Sequence, residues 1–211
     1  MSHMKPVYGL LSAAAIVVSS VSCGDVARTG RSPMFLVIES LTATRGGASS
    51  AAESNTLLSD VQAIVTSPPP CSAESPCRTI FSDSGKAILR MNAKNIGTPD
   101  HGIVPTTNNE ITVFRYRVVY RRADGRNTPG VDVPYPLEGA ATGTIAVGGT
   151  LPMTFELVRH AAKAESPLVE LVSNPTVIST VTEVTFYGRD MVGNEVSATG
   201  SMLIDFGNFG D

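Results

Sequence analysis

The sequence predicts an all-β fold, a two-sheet antiparallel β-sandwich with at most one short helix. Three observations carry that expectation. Several segments alternate apolar and polar residues with a period of two, the mark of strands with one face in a core and one in water. Asp-Gly and Gly-Asn pairs punctuate them where hairpins need to reverse. The one helical candidate, residues 160–172, is split by Pro167, which cannot continue a helix and leaves room for a turn or two.

Taken in chain order, residues 1–22 read as a signal peptide. Lys5 is the positive n-region, Pro6 to Val18 is nearly free of strong polarity, and Ser19–Ser22 are small residues apart from Val21. As a helix, Val7 to Val18 would span about 18 Å, short of a hydrocarbon core of about 30 Å, so it is a targeting segment and not a membrane span. The run Ser20-Val21-Ser22-Cys23 resembles a bacterial lipobox, although Ser20 stands where that pattern prefers Leu. The resemblance implies a diacylglycerol on Cys23 and a cell-envelope address. Gly24, where an inner-membrane retention signal usually has Asp, points to the outer membrane. Ordinary cleavage after Ser22 is the competing reading, because Ser20 and Ser22 also satisfy the small-x-small rule. Residues 23–32 form a polar tether and 33–211 a single domain.

Within that domain, Met34–Ile38 is an apolar strand ended by Thr44-Arg45-Gly46-Gly47. Ala48 to Asn55 reads as a loop, and Thr56 to Thr66 as one further strand. Cys71 and Cys77 follow a Pro-rich stretch with five residues between them. An even pair in an exported chain predicts a disulfide closing one loop. Ser82-Asp83-Ser84-Gly85-Lys86 superficially looks like a phosphate loop but lacks its glycine spacing, so it reads as a hairpin turn.

Three strands follow from alternation. One carries Ala87, Leu89, Met91 and Ala93 on its core face. A second, Thr112 to Arg122, places Phe114, Tyr116, Val118 and Tyr120 inside and Arg115, Arg117 and Arg121 outside. The last places Val196, Ala198, Gly200, Met202, Ile204 and Phe206 inside. Met153, Phe155 and Leu157 repeat the pattern after Gly148-Gly149. In all, about eight or nine strands must bury their apolar faces against one another, which means two packed sheets. Val184 to Val196, an aromatic strand running into Asp190-Met191-Val192-Gly193-Asn194, resembles the final hairpin of bacterial immunoglobulin-like and fibronectin type III-like domains. Tyr116-Arg117-Val118-Val119-Tyr120 with Asp124-Gly125 resembles a middle strand of those modules. The resemblance implies a sandwich in an extracytoplasmic setting and no activity.

Chemistry-bearing motifs are few. The formal net charge of −3 becomes one unit more negative when Lys5 leaves with the leader, which argues against nucleic acid as a partner. Only His101 and His160 remain in the mature chain, too few for a three-histidine zinc site. There is no Gly-x-Ser-x-Gly elbow and no His-Glu-x-x-His. No catalytic residue, metal or cofactor is therefore assigned.

The row Arg115, Arg117 and Arg121 is the candidate binding face. Such a row grips carboxylates or sulfated glycans bidentately unless cross-strand acids such as Glu183 neutralise it. Asp190, Asn194 and Glu195 offer oxygens for calcium, but Asp and Asn at such a turn more often satisfy their own backbone. The function expected is a non-enzymatic, envelope-held binding or assembly module. Its partner is a protein or cell-surface component, and it meets the membrane only through the lipid. The alternatives are a glycan- or ligand-binding accessory module and a hydrolase with a dispersed site built on His101 or His160. A subunit of an assembled fibre, marked by an open strand edge, is a further possibility.

Overall fold

The computed structural model describes residues 32–47, 52–98, 100–102 and 104–209; Cys23 and residues 48–51 of the expected loop lie outside the described residues. In chain order, β1 is Met34–Thr44, β2 Thr56–Asp60, β3 Ala63–Val65, β4 Cys77–Thr79, β5 Asp83–Ala93, β6 Gly97–Thr98 and β7 His101–Gly102. Then come β8 Ile111–Arg121, β9 Leu137–Ile145, β10 Thr150–Val158, helix α1 His160–Lys163, β11 Ile178–Asp190 and β12 Glu195–Gly207. A 3-10 turn at Leu168–Val172 follows Pro167, which separates it from α1.

Eight of these strands make two sheets. The first has the order β1-β5-β10; the second, β2-β12-β11-β8-β9, curls into half a barrel. Both close over one core. Leu89, Phe155 and Leu157 from the first sheet meet Val118, Phe186 and Phe206 from the second. Phe155 is the centre of this contact, with its ring 5.1 Å from Tyr116 and 5.3 Å from Phe186, the latter edge-on. Tilted and edge-to-face rings are the favoured aromatic packings. Gly85 makes the space, since a Cβ there would collide with the Phe155 ring.

The sheets meet along two seams. β10 runs beside β9 and β1 beside β12, with no ladder bonds between them. At the first seam Leu151 covers Gly143, and at the second Ile38 covers Gly200. The disulfide Cys71–Cys77 is formed, with Cα atoms 5.3 Å apart, and it closes the loop between β3 and β4.

The structure corrects several expectations. Thr56 to Thr66 is not one strand: it breaks at Val61-Gln62, where fully buried Val61 turns the chain out of the large sheet into the β3–β4 hairpin. β2 pairs parallel to β12, so the arrangement is not purely antiparallel. Ser82–Lys86 is not a turn, because Asp83 opens β5 and is fully buried there. Phe114 is not in the core. Against β11 the pairing of β8 jumps from Val113 to Arg115 while β11 moves by a single residue, leaving Phe114 as the extra residue of a bulge. That bulge puts Val113 inside and Phe114 out, where Arg189 lies over its ring at 5.3 Å. Strand β9, Leu-Glu-Gly-Ala-Ala-Thr-Gly-Thr-Ile, was not expected, because small residues give it no clear alternation.

Candidate functional site

The arginine row forms as the alternation implies, on the solvent face of β8. Arg117 stands directly across from Glu138 of β9, and Glu138 reaches both neighbours: Oε2 is 3.0 Å from Arg115 Nη1 and Oε1 3.6 Å from Arg117 Nε. Arg121 Nε donates to Glu183 Oε2 at 2.9 Å. Arg115 also stacks over the Tyr187 ring at 4.2 Å. At the strand's end Asp124 takes hydrogen bonds from Arg122 and Arg126, which hold its carboxyl well below the usual carboxylate range. The row is therefore a laced solvent face, with each arginine occupied by an acid. Glu183 was the acid indicated by the sequence; Glu138 lies in the strand that sequence reasoning missed.

A second ionic group lies inside the molecule, and no motif announced it. Lys163 of α1 and Asp83 at the start of β5 are 1% and 0% exposed at their side chains, and Lys163 Nζ is 2.8 Å from Asp83 Oδ2. Ser59 Oγ donates to the same oxygen at 2.6 Å. The backbone N–H of Gly46 donates to Asp83 Oδ1 at 2.8 Å, and Lys163 Nζ also donates to the carbonyl of Asp60 at 2.8 Å. Four segments meet here: the turn after β1, the end of β2, the start of β5 and α1. Nearby, Tyr120 donates its hydroxyl to the Leu157 carbonyl at 2.7 Å. Burial, with Asp83 adding to it, pushes that hydroxyl above the ordinary tyrosine range.

An ammonium and a carboxylate are removed from water only when other donors and acceptors replace it. This node meets that requirement, with three hydrogen bonds on one carboxylate. It clamps one end of the sandwich.

The remaining sequence candidates do not converge. Asp190 Oδ1 accepts from the backbone N–H groups of Val192 and Asn194, and its Oδ2 accepts from the Asn194 amide. Glu195 is 2.7 Å from Arg189. That turn uses its oxygens on itself, with Gly193 at φ +88 supplying the left-handed residue. His101 lies in the β6–β7 hairpin and His160 begins α1; both are exposed. Among the described residues no group of three His, Cys, Asp or Glu could hold a metal ion. No helix of the described residues is long and apolar enough to cross a membrane.

No protein-family model, curated protein or solved structure matches this chain.

A concave feature lies along the β1–β12 seam. Among the described residues, 34–42 of β1 ladder only with β5, and 195–202 of β12 only with β11, since β2 takes up β12 from Leu203 onward. The outer backbone edges of the two strands thus face one another. A groove of about 410 Å³ lies at one end, lined by Met34, Phe35, Leu36, Lys94, Tyr187 and Val196. A shallower trough continues between residues 36–41 and 198–201. The half-exposed Phe35 ring carries Lys94 above it at 5.3 Å. The seam thus carries backbone donors and acceptors along two edges, with apolar side chains between them.

Proposed function

We propose that this protein is an exported, non-enzymatic module of the cell envelope, held by a lipid on Cys23, that takes up an extended segment of a protein partner at the β1–β12 seam. The facing, unladdered edges of β1 and β12 carry this reading. A strand laid along the seam would pair with the open backbone edge of β1 or of β12, and its alternate apolar side chains would enter the groove beside Phe35 and Leu36. Kinship with immunoglobulin-like and fibronectin type III-like modules belongs to the same proposal. It is supported by two packed sheets with β11–β12 as a terminal hairpin, and strained by the parallel β2. The arginine row favours neither glycan nor anion binding, since Glu138 and Glu183 already occupy it.

Two experiments test the halves of the proposal. A photo-crosslinking residue at Val37 or Thr199, on the seam, should give a discrete protein adduct in intact cells. The same residue at Thr154, on β10, should not. Ala198→Lys, a charge in the trough, should abolish the adduct. Equal labelling at all three positions, or none at the seam, would reject strand uptake. Cys23→Ser should move the protein from the membrane to the soluble fraction; unchanged partition would reject the anchor.

A further inference from the structure

We propose that Lys163 and Asp83 condense into an intramolecular amide cross-link, a modification of the folded chain independent of how the seam is used. Of the ion pairs between described residues, this one alone has both side chains buried. Lysine and aspartate do not react in water because each is solvated as an ion and neither is held against the other. The node removes both obstacles. Exclusion of water takes away the solvation that favours the charged forms. Packing fixes the amine against the carboxyl in a way that converts a bimolecular encounter into a positioned one. Nζ lies 2.8 Å from Oδ2, and Cγ is one bond further, so the attacking atom starts within about 4 Å of its target.

The surrounding donors match the steps. A proton passes from Lys163 Nζ to Asp83 Oδ2 along their hydrogen bond, leaving a neutral amine and a carboxylic acid. The Nζ lone pair then attacks Cγ, and the pair of the C=O bond moves onto Oδ1, where the Gly46 N–H already donates at 2.8 Å. A second proton leaves Nζ and reaches Oδ2 through the Ser59 hydroxyl, which sits 2.6 Å from that oxygen. The Cγ–Oδ2 bond breaks, water departs, and the carbonyl re-forms at Oδ1. One hydrogen remains on Nζ, directed at the Asp60 carbonyl that it already meets. The charges cancel, one water is lost, and no oxidant or cofactor enters. The product is a covalent tie between the first residue of β5 and α1, two positions joined in the fold but not in sequence.

The mass of the wild-type protein decides the matter. After reduction and denaturation, the expected mass is about 18 Da below that of the processed chain, one water short. Trypsin should release a branched peptide joining Thr79–Lys86 to the segment beginning at His160, with no cleavage after Lys163. Asp83→Ala and Lys163→Arg should restore the full mass. Full mass in the wild type, with cleavage after Lys163, would overturn the proposal. So would a loss of 18 Da without the branched peptide, since dehydration elsewhere gives the same mass.

Discussion

Two ionic regions of this protein invite comparison: the arginine row on β8 and the node around Asp83. The row has more charges, five counting Glu138 and Glu183, yet its side chains are roughly half exposed. Before condensation the node has two charges, and it has no exposure. In water, ion pairs contribute little because solvent competes and salt screens. Inside, removing one partner strands the other with no solvent to replace it. The number of ion pairs therefore says little about what holds this sandwich together, and their burial says much.

The comparison is sharpened most by breaking the node. Lys163→Met leaves Asp83 buried without its cation or the amide proposed for it and should lower unfolding stability by at least about 3–5 kcal/mol in urea titrations. Should the loss be under about 1 kcal/mol, the node would belong with the surface pairs. Ser59→Ala removes one donor from the same carboxylate and should cost about 1–3 kcal/mol, read from the shift in urea midpoint.

Tyr120, beside the node, gives a pH signature. Its hydroxyl titrates higher in the fold than in the unfolded chain, so it favours the native state up to about pH 10. Above that pH the unfolded chain ionises first and stability falls. Tyr120→Phe should start less stable by about 1 kcal/mol, from the lost bond to Leu157, but flatten that alkaline decline. An unchanged slope would place its origin elsewhere. The smallest effect belongs to the row: Arg121→Ala should cost less than about 1 kcal/mol, and less still at high salt.

The same contrast explains what the sequence could reveal. The row was legible because alternation assigns faces, and residues 115, 117 and 121 share a parity that burial of Tyr116, Val118 and Tyr120 enforces. Phe114 was misassigned because a bulge changes parity without any composition signal at Val113-Phe114-Arg115. β9 escaped because Gly139 and Gly143 are chosen for what lies over them, the Tyr116 ring and Leu151, and not for alternation. The node was illegible for a different reason. Its members are brought together from far apart, with sequence separations of 24 for the Ser59–Asp83 pair and 103 for the Asp60–Lys163 pair. Locally, Asp83 sits among turn-forming residues and Lys163 among alanines. The seam was foreseen only as a possibility, since an open edge depends on how far a neighbouring strand reaches, here β2, which begins only at Thr56 opposite Leu203.

A pair of double-mutant cycles in urea provides the most direct comparison, one across Asp83 and Lys163, the other across Arg121 and Glu183, in the same buffer. A coupling of about 3 kcal/mol or more at the node, whether it is held as the buried ion pair or as the amide, and less than about 1 kcal/mol on the row is the expected result. Equal couplings would contradict the claim that burial sets which charges hold this fold.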